Sequence, residues 1–103
     1  MLIYVAGPYT KGDVAQNVRR AMEAAEGLVK KGHTPYIPHL THFWHLIFPH
    51  PIEFWYAYDM VWLKKRDAIL RLSGESHGAD CEVTRAHELG KPVYFTLELI
   101  PLE

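Results

Sequence analysis

Apolar residues along the chain alternate between short continuous runs and longer segments in which they recur at helical spacing. The short runs predict four β-strands, at residues 2–6, 34–38, 67–72 and 92–97. The second of these contains two prolines, which cannot donate backbone hydrogen bonds, so we expect it at an edge of the sheet.

The segments with helical spacing predict three helices, which begin at Val14, Ile52 and Ala79. The predicted buried face of the first consists of Val14, Val18, Ala21, Met22, Ala25, Leu28 and Val29. We expect the second helix to end at Lys65, and Gly32 and Gly90 to follow the ends of the other two. Residues 39–51 form an aromatic, histidine-bearing segment to which no element is assigned.

The resulting order, β-α-β-α-β-α-β, indicates an α/β fold with a parallel sheet, right-handed crossovers and helices on both faces. By analogy with the flavodoxin-like arrangement we expect a Rossmann-like three-layer sandwich with strand order 2-1-3-4, formed by residues 1–103 as one domain. In such sheets the ligand crevice opens at the carboxyl ends of the strands where the strand order reverses. Loops 7–13 and 73–78 should flank that crevice, with His39 on the same rim.

Composition narrows the choice of partners. The formal net charge of −1 gives no basic field for a nucleic-acid polymer or a membrane surface. No apolar run approaches membrane-spanning length. The only cysteine, Cys81, excludes an intramolecular disulfide, so we expect a cytoplasmic protein.

Two carboxylates on neighbouring helices are the main candidates for chemistry. Asp59 lies among Trp55, Tyr58 and Trp62 and should be hard to ionise, whereas Glu82, near a helix start, should ionise easily. Such a pair suits an acid and a nucleophile acting at a sugar carbon.

Both acids also have structural interpretations. Glu82 could be a solvated surface carboxylate, and Asp59 a core residue that accepts hydrogen bonds from a neighbouring loop. A third acid, Asp67, opens a strand at the opposite end of the sheet and is interpreted as a structural turn residue.

The histidine-bearing segment leaves three possibilities open. The spacing of His39, His42, His45 and His50 permits a metal site, although no HExxH or CxxC motif accompanies it. The interleaved Phe43, Trp44 and Phe48 favour instead a wall for a flat, apolar ligand with polar edges. Packing or an oligomer surface is the third possibility.

Short motifs follow one another in order along almost the whole chain: Tyr4-Val5-Ala6-Gly7-Pro8-Tyr9-Thr10, Pro38-His39, Asp59, Asp67-Ala68, Gly78-Ala79-Asp80-Cys81-Glu82-Val83, Ala86 and Leu89-Gly90-Lys91-Pro92-Val93. Together they resemble the nucleoside 2-deoxyribosyltransferase-like superfamily, which includes deoxynucleoside 5′-monophosphate N-glycosidases. The closest resemblance is to its small bacterial and phage members. Many members have five strands where this chain has four predicted ones.

The resemblance implies roles for particular residues. The family's nucleophilic glutamate lies in a Gly-x-x-x-Glu-x-x-x-Ala pattern, matched here by Gly78, Glu82 and Ala86, and attacks C1′ of the sugar. Asp59 matches an assisting aspartate. The loop Gly7-Pro8-Tyr9-Thr10 matches the family's loop that faces the sugar and phosphate. The serine and arginine that grip a 5′-phosphate have no clear counterparts after Gly7; Thr10 and Lys11 are possible substitutes. In the family a neighbouring subunit often completes the active site.

The leading hypothesis is therefore cleavage or transfer at the N-glycosidic bond of a (deoxy)nucleoside or its 5′-monophosphate, through a covalent glycosyl-glutamate. No metal or organic cofactor is needed. The expected substrate-binding residues are Gly7, Pro8, Tyr9, Thr10, His39, Phe43, Ser76 and Gly78. The alternatives are a non-catalytic nucleotide-binding protein and a histidine-metal hydrolase. We also expect a homodimer or higher homo-oligomer, because Phe48, Trp55 and Trp62 supply more apolar surface than four strands can cover.

Overall fold

Four parallel strands form the central sheet of the computed structural model, which describes residues 1–103. The strands are β1 (Leu2–Ala6), β2 (Thr34–Tyr36), β3 (Ala68–Arg71) and β4 (Val93–Tyr94). Their spatial order is β2-β1-β3-β4 and every pairing is parallel, which confirms the predicted fold class and strand order. β2 lies at an edge, as its prolines indicate.

Four α-helices surround this sheet: α1 (Val14–Lys30), α2 (Thr41–Ile47), α3 (Ile52–Leu63) and α4 (His77–Glu88). Short 3₁₀ turns at Pro38–Leu40 and Leu97–Leu99 shorten the second and fourth strands relative to their predicted lengths. α4 begins two residues earlier than predicted because the Ser76 hydroxyl accepts a hydrogen bond from the Ala79 N–H (3.1 Å) and caps it. No helix combines the length and the apolar composition needed to cross a bilayer.

Alternation along β1 divides the core into two layers. Ile3 and Val5 pack with Leu28 of α1, while Tyr4 and Ala6 point to the opposite face. The second face is covered by α3 and α4, where Leu63, Ala79 and Ala86 are buried. The buried face of α1 is narrower than predicted, since Met22 and Val29 are exposed.

The ends of β1 and β3 differ in character. At the carboxyl end, a Cβ atom on Gly7 would lie 3.1 Å from Cβ of Leu72, so glycine allows the segments that follow β1 and β3 to approach each other closely. At the opposite end, the Asp67 carboxylate accepts a hydrogen bond from the Leu2 N–H (2.7 Å). The structural role predicted for Asp67 is consistent with that contact, and the crevice opens at the Gly7 end.

Candidate active site

A cavity of about 450 Å³ lies at the carboxyl edge of the sheet, a volume typical of small-molecule sites. Its walls come from the β1–α1 loop, the segment after β2, one face of α3 and the N-terminal half of α4. Eight of the ten predicted site residues line it: Gly7, Tyr9, Thr10, His39, Asp59, Ser76, Gly78 and Glu82.

Glu82 lies in the second turn of α4 and points inward, with only 9% of the residue exposed. The hydroxyl group of Tyr4 donates a hydrogen bond to its Oε2. Burial raises the pKa of Glu82 to about 8, outweighing the hydrogen bond from Tyr4, which lowers it.

Two expectations for Glu82 are therefore wrong. It is not a solvated surface carboxylate, and it does not ionise easily. The physical reason is that the favourable field of a helix N-terminus falls off within the first turn, whereas the desolvation of a buried carboxylate does not.

Asp59 lines the cavity from α3 without a hydrogen-bond partner for its buried Oδ1 atom. Burial raises the pKa of Asp59 to about 7, as expected for a carboxyl group that is hard to ionise. Nothing in the structure supports the alternative in which Asp59 ties down a neighbouring loop. Of its predicted aromatic neighbours only Trp55 lines the cavity. Trp62 stacks instead on Tyr36, with 5.4 Å between the ring centroids.

Glu82 and Asp59 thus reach one cavity from adjacent helices. They also interact electrostatically, since the charge on Asp59 raises the pKa of Glu82. Two interacting carboxyl groups of this kind titrate as a pair.

His39 is almost fully buried beside the cavity. Its Nε2–H donates to the Pro8 carbonyl (2.9 Å), which leaves Nδ1 as an acceptor without a partner. Burial lowers the pKa of His39, so the ring is neutral. Pro8, a predicted substrate contact, does not line the cavity and instead holds His39.

The aromatic wall of the cavity differs from the predicted one. Phe43, Trp44 and Phe48 are exposed and do not line it, so the predicted ligand contact of Phe43 (60% exposed) is not supported. Phe43 and Trp44 belong to α2 and Phe48 follows its last residue. The wall consists instead of Ile52, Trp55 and Tyr56 with His45 and His50.

The histidines do not form a metal site. No three His, Cys, Asp or Glu side chains are grouped so that they could hold a metal ion. His42 pairs with the Tyr9 hydroxyl and His45 accepts a hydrogen bond from the Trp55 indole (2.8 Å). The histidine-metal alternative therefore lacks a set of ligands.

Residues 1–96 match the model of a protein family described as a domain of unknown function, DUF7768. The chain belongs to the DUF7768 family. Among solved structures, this DUF7768 chain is similar to a 2-deoxyribosyltransferase from the psychrotolerant bacterium Bacillus psychrosaccharolyticus. The TM-score is 0.65 at 23% sequence identity, over 90% of this chain and 69% of that one. The similarity shows a shared fold. No curated protein matches the chain.

Two side chains that act on Glu82 in this DUF7768 chain, Tyr4 and Arg71, are not among the residues predicted from the sequence. Tyr4 had a detectable signal, because a tyrosine in the middle of an apolar strand needs a partner for its hydroxyl group. Arg71 at the end of β3 donates to the Gly74 carbonyl (2.9 Å) and to Oδ1 of Asp80 (2.9 Å). It thereby fixes the loop before α4, a role that nothing in the sequence pattern indicates.

Gly78 has a packing role in the same region. A Cβ atom at this position would lie 3.3 Å from Cε1 of Tyr56, so the absence of a side chain lets α3 approach α4 closely. Tyr56 and Gly78 together close one side of the cavity.

Proposed function

We propose that this DUF7768 protein cleaves or transfers at the N-glycosidic bond of a (deoxy)nucleoside or nucleoside 5′-monophosphate. The observation that carries the proposal is the convergence of two carboxyl groups, the buried Glu82 and the half-buried Asp59, on one cavity of about 450 Å³. The shared fold with a 2-deoxyribosyltransferase agrees with it.

In the first step, a carboxylate oxygen of Glu82 attacks C1′ of the sugar as the bond from C1′ to the base nitrogen breaks. The electron pair of that bond goes to the base. Asp59 donates its proton to the departing base, which leaves as a neutral molecule. The product is a glycosyl ester on Glu82.

In the second step, a nucleophile attacks C1′ and releases Glu82 as a carboxylate. Ionised Asp59 takes the proton of that nucleophile, which restores the starting protonation state. Water as the nucleophile gives a hydrolase, and a second base gives a transferase.

This mechanism needs one proton shared by the pair, held by Asp59. The pKa values of about 7 for Asp59 and about 8 for Glu82 would by themselves leave that proton on Glu82. The hydrogen bond from Tyr4 already contributes to the pKa of Glu82 and does not reverse this order, although it favours an ionised Glu82. Positive charge developing at C1′ in the transition state further favours an ionised Glu82.

The rest of the cavity is suited to holding the sugar. Gly7, Tyr9 and Thr10 line one side of the cavity, next to the buried ring of His39. Ser76 and Gly78 at the start of α4 lie on the other side. A 5′-phosphate would meet Thr10 and Lys11, whose ammonium group lies 3.6 Å from an exposed Glu75 carboxylate.

The test is to incubate the protein with a panel of nucleosides and 5′-monophosphates, with and without a second base, and to measure free and exchanged base. We expect release or exchange by the wild type and none by Glu82→Ala. Glu88→Ala, which removes an exposed acid from the same helix, is the matched control. Saturable binding without any base release would favour a non-catalytic nucleotide-binding protein instead.

A further inference from the structure

The cavity has an aromatic end whose geometry is set by α3. Tyr56, Trp55 and Ile52 lie three, four and seven residues before Asp59, on one face of α3, and all four residues line the cavity. At 1.5 Å per residue, this strip extends about 10 Å along the helix from the Asp59 carboxyl group. A base departing from C1′ next to Asp59 would therefore lie along Trp55, Tyr56 and Ile52.

One polar group at this end has a fixed hydrogen-bonding role. Nδ1 of His45 accepts hydrogen bonds from the Trp55 indole N–H (2.8 Å) and from the His50 backbone N–H (3.2 Å). Both partners can only donate, so Nδ1 must be an unprotonated acceptor. The proton of the neutral ring is therefore on Nε2.

The Nε2–H group of His45 has no partner within the chain and is not a buried atom, and the side chain lines the cavity. A residue that lines the cavity thus carries a hydrogen-bond donor that cannot become an acceptor without loss of the two contacts at Nδ1. His50 lies beside it, with its ring stacked on Phe54 (3.9 Å between ring centroids), so the neighbouring loop is held in place.

We propose, building on the proposed function, that His45 is the specificity-determining residue for the base, and that it selects bases with an exocyclic oxygen over their amino counterparts. A carbonyl oxygen of a 6-oxopurine or 4-oxopyrimidine accepts a hydrogen bond from this Nε2–H group. An exocyclic amino group in the same place presents a second donor, which leaves two donors facing each other without an acceptor.

The experiment measures binding of free bases to the wild-type protein by calorimetry, in the pairs hypoxanthine and adenine, and uracil and cytosine. We expect the oxo member of each pair to bind more tightly, by on the order of 10-fold, the value of one hydrogen bond. His45→Phe should bring both ratios close to one, whereas His45→Gln, which keeps a donor, should retain part of the preference. His87→Phe, an exposed histidine on α4, is the matched control and should leave the ratios unchanged.

Equal or tighter binding of adenine and cytosine by the wild type would overturn the inference, even if no His45 variant folds. An unchanged ratio in folded His45→Phe would overturn it as well. These outcomes are separate from the failure of the proposed function, because binding of free bases requires no glycosidic cleavage. Cleavage without base preference refutes only the role of His45, and preference without cleavage refutes only the reaction.

Discussion

The phenolic hydroxyl of Tyr4, in the middle of β1, donates a hydrogen bond to Oε2 of Glu82 on α4. Tyr4 is fully buried, and burial raises its pKa well above the usual value, so the hydroxyl remains protonated and, as a donor to Glu82, favours the ionised form of that carboxyl group. A residue of the inner strand β1 thus lowers the pKa of the proposed nucleophile.

Substitution of Tyr4 by Phe should raise the pKa of Glu82, because the hydrogen bond from Tyr4 lowers it. We expect the acid limb of the pH profile of kcat/KM to move to higher pH, and kcat/KM at neutral pH to fall by on the order of 10-fold. Tyr94→Phe on β4, outside the cavity, serves as the control. An unchanged acid limb in Tyr4→Phe would show that the hydroxyl does not tune Glu82.

Substitution of Glu82 by Gln should lower base release by on the order of 10³-fold or more, because the amide is not a nucleophile towards C1′. In the wild type, mass spectrometry of a rapidly quenched reaction should detect one sugar residue attached to the peptide that contains Glu82. The same peptide of Glu82→Gln should remain unmodified. A sugar adduct on another residue would reassign the nucleophile.

Both Asp59 and Glu82 should determine how kcat/KM varies with pH. With pKa values of about 7 and about 8, the pair carries one proton only near neutral to mildly alkaline pH, so kcat/KM should follow a bell-shaped profile. Below this range Glu82 is protonated and cannot attack; above it Asp59 has lost the proton that the base requires. Asp59→Asn should remove the alkaline limb and move the acid limb to lower pH, since the charge on Asp59 raises the pKa of Glu82. Persistence of the alkaline limb in this variant would argue against Asp59 as the acid.

The strands and the parallel sheet could be predicted from local features of the sequence, because apolar runs indicate the strands and their alternation with helical segments indicates parallel pairing. The strand order 2-1-3-4, which the structure confirms, was expected by analogy with the flavodoxin-like arrangement. α2 was not assigned, because seven residues are too few to show a clear helical period.

The ionisation of the site could not be predicted in the same way. Position in α4 suggested that Glu82 ionises easily, but its pKa is determined by burial and by Tyr4, which lies 78 residues away along the chain. Likewise, aromatic residues that neighbour histidines in sequence do not form the cavity wall, because Phe43 on α2 and Phe48 just after it are exposed and α3 supplies Trp55. Such long-range contacts do not appear in a local pattern.

Exposed apolar side chains at the C-terminal end of α2 predict that the protein self-associates. Of the three residues on which the expected oligomer rested, only Phe48 is exposed, but its neighbours Leu46 and Ile47 are 64% and 71% exposed. We expect self-association at micromolar concentration by sedimentation, and a monomer when Ile47 and Phe48 are both replaced by Glu. Val29→Glu places the same charge on an exposed apolar position of α1 and should not change the assembly. A monomeric wild type would contradict the prediction.

The ionised Glu82 carboxylate that the proposed reaction needs should lower the free energy of unfolding. In the unfolded chain its pKa is about 4.3, whereas burial in the folded chain raises it to about 8. Between these values the folded chain binds more protons than the unfolded chain, so the free energy of unfolding falls as the pH rises. Glu82→Gln removes this dependence while keeping an acceptor for the Tyr4 hydroxyl.

The gain in stability for Glu82→Gln should therefore be small at pH 4 and on the order of a few kcal/mol at pH 9, since each pKa unit corresponds to about 1.4 kcal/mol. Urea unfolding at the two pH values measures it, with the exposed Glu88→Gln as the control. If the gain were equal at both pH values, Glu82 would have an ordinary pKa in the folded chain. That result would contradict the desolvation of Glu82 beside Asp59, on which the proposed chemistry depends.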